Sequence, residues 1–257
     1  EGDDLWGAVS YLFRRFCREL LGLVVFYAAL RVIGSNLLEP EMVSFAAPFV
    51  LYMVLLPRGG AAISRFILAP NRPDLRLVNT SDKWAQYIHR NLIGLLVLIG
   101  FTIFVLGINA RNGVPPGEMR LGFWLNTAVH VYIAIIAWRA RDGLIELTRG
   151  TDPDRTVFDE RVAVAYPIFA IAVSVVTWLI VEVLVSYRDP QVLALLTHGP
   201  HYTTMFWLLM APAIDTFIRG LVRHLQPPMM GEGPVAEAAY RATKRSYIRI
   251  GRVVAGA

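Results

Sequence analysis

The sequence predicts an all-α integral membrane protein built from stacked antiparallel transmembrane helical hairpins with amphipathic cytoplasmic joints. Three observations lead there. Six apolar blocks, most of them near the length that crosses a bilayer, are separated by charged linkers. Basic residues crowd into alternate linkers and nearly vanish from the others. The crowded linkers also resemble one another at a spacing of ~75 residues, in the range where a structural repeat is to be sought.

The apolar blocks come first. Charged residues make up 18% of the chain and apolar ones 55%, with a mean hydropathy of +0.48. Soluble domains carry about 25% charge. The shortfall is local, as expected where a hydrocarbon core excludes charge. A core of ~30 Å needs about 20 apolar residues in a helix. The spans read as residues 20–38, 42–56, 91–108, 121–138, 162–186 and 202–218. The second is short, so its helix is expected to run on toward Leu68. Helices are required because lipid satisfies no backbone polar group, and the alternating pattern of a β-barrel is absent.

The basic residues set the threading. The N-terminal segment, the linkers 57–90 and 139–161, and the tail 219–257 hold 21 Lys and Arg. The connections 34–41, 109–120 and 187–201 hold 3, and Arg31 lies inside the first span. By the positive-inside rule the N-terminus, both long linkers and the tail face the cytoplasm. The net charge of +5 does not point to nucleic acid, because the basic residues flank apolar spans where anionic headgroups lie. Arg58, Arg65, Arg72, Arg76, Arg139, Arg141, Arg219 and Arg223 are the candidate headgroup ligands, with membrane lipids as partners.

The spans pair as hairpins: 1–56 with its N-terminal amphipathic segment, 57–138 and 139–218, followed by a cytoplasmic linker and the start of a further helix over 219–257. Within a pair the connection is short and turn-rich, as in EPE, NGVPPGE and RDP. Between pairs each joint leaves through a basic amphipathic stretch (GGAAISRFILAP, RARDGLIELTRG, FIRGLVRHLQPP) and passes a Pro-containing turn. Such segments lie along headgroups. The chain begins without Met and ends in YIRIGRVVAGA, so a piece of a longer polypeptide is expected.

Few residues inside the spans offer chemistry. Arg31, His130, Glu182 and Asp215 are the intramembrane polar candidates. Arg31 is expected to snorkel to the interface. His130, beside Asn126 and Thr127, is expected to make an interhelical hydrogen bond, having no second ionisable residue at i±3 or i±4. Asp215 with Arg219 reads as a local i,i+4 pair, and Glu182 lies too near the opposite face to meet Asp215. Pro48, Pro167 and Pro212 are expected to kink their helices. His198 and His201 share a loop, a weak metal signal. Cys17 is the single cysteine, so no intrachain disulfide forms. No P-loop, Rossmann fingerprint, HExxH or GxSxG occurs, so neither an enzyme nor a cofactor is expected.

Residues 66–98, FILAPNRPDLRLVNTSDKWAQYIHRNLIGLLVL, resemble the outer membrane region of the larger MscS-like mechanosensitive channels. The resemblance rests on a span ending in an aliphatic-basic stretch, a Pro-rich turn, and a basic helix returning to the membrane. Pro70, Arg72, Pro73, Leu75, Arg76, Leu77 and Val78 carry it. The Gly/Ala-rich pore helix and the β-rich cytoplasmic vestibule of that family have no counterpart in these 257 residues. The resemblance implies a membrane-tension-sensing region beside a pore, in a heptameric homo-oligomer of a bacterial inner membrane. The alternative is a transporter or a structural subunit of a membrane complex. A transporter would need His130, Glu182 or Asp215 to converge on a polar cavity.

Overall fold

A computed structural model describes the backbone of residues 2–256, except 38, 74, 75, 77, 115–117, 119, 151–156, 226–230 and 232. Side chains are described from Ser10 onward, except those of 217, 220, 221, 223–225, 252 and 254–256. Leu75, Leu77 and the Arg223 side chain therefore lie outside the described residues.

Among the described residues the regular secondary structure is all helical. The order is α1 (Gly2–Leu37), α2 (Pro40–Phe49), a π-helical segment (Val50–Leu55), α3 (Leu56–Leu68), α4 (Asp82–Arg111), α5 (Arg120–Arg139), α6 (Arg141–Arg149), α7 (Val157–Ser186), α8 (Pro190–Leu196), α9 (Pro200–Leu225) and α10 (Pro234–Gly256). Among the described residues five helical stretches are long and apolar enough to cross a membrane: Ser10–Leu37, Pro40–Leu68, α4, α5 and α7. The residues expected to form the sixth span lie in the 26-residue helix α9, which is not one of these five. The tract Asp215–Arg219 places charge within it.

The second span runs on to Leu68 as expected, but through an unexpected geometry. Pro48 lies inside α2 and has no N–H for the carbonyl of Ser44. The backbone does not break there. It widens into the π-helical turn over Val50–Leu55 and resumes as α3. Such widened turns are a recognised way for a helix to absorb a misfit. α3 stops where Ala69 turns into the left-handed region, at φ 38°.

Neighbours in sequence are neighbours in space. α1 packs on α3, α3 and the π-helical segment pack on α4, α4 on α5, α5 on α7, α7 on α6 and α9, and α9 on α10. One close approach depends on a missing side chain. A Cβ on Gly100 of α4 would collide with the carbonyl of Tyr52, so only glycine lets α4 lie against the widened turn.

Two apolar cores hold the helices together. Ile99, Ile103, Val129, Ile133, Tyr202 and Met205 join α4, α5 and α9. Leu68, Val78, Ala85, Leu147 and Ala213 join the ends of α3, α4 and α6 to the middle of α9. Much of the apolar surface stays outside these cores. None of the most apolar stretch of α1 is buried, and only 6% of that in Pro40–Leu68. Val24, Val25, Val32 and Ile33 of α1 are all more than half exposed. Burial of such surface is the ordinary driving force of folding in water, and here it is forgone.

Candidate functional site

Two polar clusters stand out against this apolar background, one at each end of the helices.

The first is built on Asn126 of α5. Asn126 and His130 are four residues apart, so they share one helix face, and each is 4% exposed. The Asn126 amide donates to Glu182 Oε1 of α7 at 2.9 Å. Its oxygen accepts from the Tyr202 hydroxyl of α9 at 3.1 Å. One side chain thus ties three helices. The His130 ring bonds the Asn126 backbone carbonyl through Nδ1 at 2.8 Å. A carbonyl only accepts, so Nδ1 carries the proton and Nε2 presents a lone pair. That Nε2 is buried and has no hydrogen-bond partner. Ser174 of α7 donates to the His130 carbonyl at 3.1 Å, and Trp178 donates to Thr127 Oγ1, also at 3.1 Å. His201 lies against Tyr202, the rings tilted by 48° with centroids 3.9 Å apart, and both of its ring nitrogens are buried and unpartnered.

Beside this cluster lies a cavity of about 330 Å³. Asn126, Glu182, His201 and Tyr202 form its polar wall, and Ile103, Leu106, Phe123 and Val181 its apolar wall. Glu118 and Arg120 also line it. The connection 187–199, expected as a plain turn, helps close it with the short helix α8. Asp189 caps that helix by accepting from the Gln191 and Val192 amides, and Pro190 supplies its first turn.

The second cluster organises the basic joints. Arg76, a candidate headgroup ligand by sequence, is turned inward instead: its side chain is only 7% exposed. Its guanidinium donates to the Leu68 carbonyl at 2.9 Å, to the Thr80 carbonyl, and to Asp82 Oδ1 at 2.7 Å. The fork-shaped donor set suits three acceptors arranged around one turn. From that turn Ser81 N–H donates to Glu146 of α6 at 3.0 Å, and Asn79 donates to the Gly150 carbonyl at 3.3 Å. Arg149 then makes a two-bond pair with Glu160 at the start of α7. The Glu160 carboxylate raises the already high Arg149 pKa, so the guanidinium stays charged at any physiological pH. Arg219 bonds Asp215 at 2.9 Å, the expected i,i+4 pair, and also meets Asp159 of α7 at 3.4 Å. The joints form one bonded layer from α3 to α9.

The remaining candidates divide. Arg65 pairs with Glu19 of α1 at 2.6 Å. Arg141 lies over the Trp138 ring at 5.4 Å and 3.6 Å from Asp142. Arg31, Arg58, Arg72 and Arg139 are exposed and make no ion pair among the described residues. Asp215 is absent from the Asn126 cluster, which gathers His130 and Glu182. His198 bonds the Ala194 carbonyl at 3.0 Å while His201 turns inward. Among the described residues no group of three or more His, Cys, Asp or Glu is placed to hold a metal. His130 and Glu182 stand out individually in the sequence. Nothing in it signals that Asn126, His201 and Tyr202 join them, because Asn126 reaches its partners across 56 and 76 residues.

Comparison with protein-family models, curated proteins and solved structures finds no match for this chain.

Proposed function

We propose that this chain is the membrane-tension-sensing part of an MscS-like mechanosensitive channel, a homo-oligomer of a bacterial inner membrane with its N-terminus in the cytoplasm. The observation that carries this reading is the pairing of sparsely buried apolar helices with a bonded layer of basic joints. The α1 stretch has none of its most apolar part buried, a surface that lipid would cover. Arg58, Arg72 and Arg139, exposed beside the joint layer, would hold headgroup phosphates. A helix array that lipid wets over most of its surface shifts its tilt when the bilayer thins or stretches. The bonded joints would pass that tilt to an adjoining pore, shifting its closed–open balance.

The test is patch-clamp recording of the full-length protein in reconstituted membranes. Pressure-dependent current is expected, and its threshold should rise when Arg58, Arg72 and Arg139 are all changed to Gln. Silence under tension from a correctly inserted protein would overturn the reading.

A second reading, a transporter or a subunit of a membrane complex, is favoured by one observation. Glu182 lines a cavity together with Asn126, whose backbone carbonyl His130 bonds. Uptake of a solute by proteoliposomes without applied tension would support that reading over the first.

A further inference from the structure

The geometry points to the cavity beside Asn126 as a binding site for a small organic ammonium cation, held by Glu182. The site stands apart from tension sensing and occupies a cavity that the channel reading leaves unused.

Glu182 is a carboxylate on the most apolar stretch of α7, and it lines the cavity. Its position is fixed. The Tyr202 hydroxyl holds the Asn126 oxygen, which leaves the Asn126 amide N–H₂ turned to Glu182. That bond is neutral on the Asn side and leaves the negative charge uncompensated. Among the described residues Glu182 has no ion pair, although Arg120 lines the same cavity. Glu118 lines it too, so two carboxylates face one guanidinium, and none of the three is within pairing distance of another. A carboxylate in such surroundings is stabilised by a counter-cation.

The walls specify the kind of cation. Tyr202 and Phe123 are among the residues that line the space, and aromatic rings attract ammonium groups. His201 lines the same wall, its ring nitrogens buried behind the surface and without a hydrogen-bond partner. A neutral imidazole offers one donor and one acceptor, and a small rotation of the ring lets a ligand hydroxyl pair with one of them. A cavity of about 330 Å³ sits at the small end of ligand pockets. Amino alcohols such as ethanolamine and choline combine these features. The same chemistry is presented by a free solute or by the headgroup of an aminophospholipid.

The experiment is calorimetric titration of choline and ethanolamine into the full chain in nanodiscs, of phosphatidylglycerol alone or with added phosphatidylethanolamine. Saturable binding in phosphatidylglycerol discs is expected. Its loss on adding phosphatidylethanolamine identifies the lipid headgroup as the occupant, and its persistence identifies a free solute. Glu182→Gln should weaken binding about tenfold or more, as for loss of a desolvated charge partner. Glu19→Gln, on α1, should leave it unchanged. Should Glu182→Gln fold poorly, 3,3-dimethylbutanol decides on the unaltered protein, since it matches choline in shape without the charge. Binding of that alcohol as tight as choline, an unchanged affinity in folded Glu182→Gln, or no saturable binding of either cation in phosphatidylglycerol discs would overturn the assignment.

Discussion

Arg111 Nη1 of α4 donates at 2.5 Å to the carbonyl of Ser44 in α2, the carbonyl that Pro48 leaves without its helical N–H. A basic side chain from a neighbouring helix thus satisfies the acceptor that a proline has orphaned. Two features accompany Pro48, this bond and the widened turn that follows.

The pair can be tested by a double-mutant cycle. Arg111→Ala should destabilise the protein by about 1 kcal/mol, typical of one hydrogen bond at an exposed site. In a Pro48→Ala background the restored backbone N–H can serve the Ser44 carbonyl, and the same change should cost less. Thermal unfolding in detergent gives both numbers. Equal costs in the two backgrounds would show the bond to be incidental.

Arg76 should tolerate no replacement. Arg76→Ala removes donors from three acceptors in a largely buried setting, and a loss of about 2–3 kcal/mol is expected. Arg76→Lys should recover little, because a single ammonium has no fork to span Leu68, Thr80 and Asp82. Limited proteolysis across residues 69–81 should report the loosened turn. A Lys variant as resistant as the parent would count against the geometry.

Gly143 is the point where α6 rests on α4. A Cβ there would come within 2.5 Å of Trp84 Cγ and 2.6 Å of Trp84 Cβ. Gly143→Ala should therefore push α6 off Trp84, at a cost of about 1–3 kcal/mol, and weaken the Ser81–Glu146 bond. Trp84 fluorescence should shift toward that of a wetter indole.

Threading is open to thiol labelling. In a Cys17→Ser background, Tyr187→Cys should react with a membrane-impermeant maleimide on intact cells, since Tyr187 is 77% exposed in a basic-poor connection. Arg72→Cys should react only after permeabilisation. The reverse pattern would invert the assigned orientation.

Sequence and structure agree where the physics is local. The places of five long apolar helices follow from apolar length, the extension to Leu68 from the shortness of its apolar block, and the Asp215–Arg219 bond from helical spacing. Asp189 and Pro190 have the character of a helix start, yet the connection reads as a plain turn because the seven residues of α8 carry little periodic signal. Arg76 misleads for a different reason. A guanidinium in a basic joint suits a phosphate, and only the folded turn reveals three carbonyl and carboxylate oxygens already around it. The Asn126 cluster needs the packing of α5, α7 and α9 before its members can be seen as neighbours.

The widened turn at Val50–Leu55 has a consequence for how this helix is aimed. In an α-helix each residue advances the azimuth by about 100°, so a turn that takes in an extra residue leaves everything downstream rotated against the segment before it. Closing that turn to α-helical geometry at unchanged length would swing Ala61, Ala62 and Ser64 away from their neighbours and carry the Tyr52 oxygen off Gly100. The number of residues in that stretch, more than their identity, decides which flank of the rod is offered to α4.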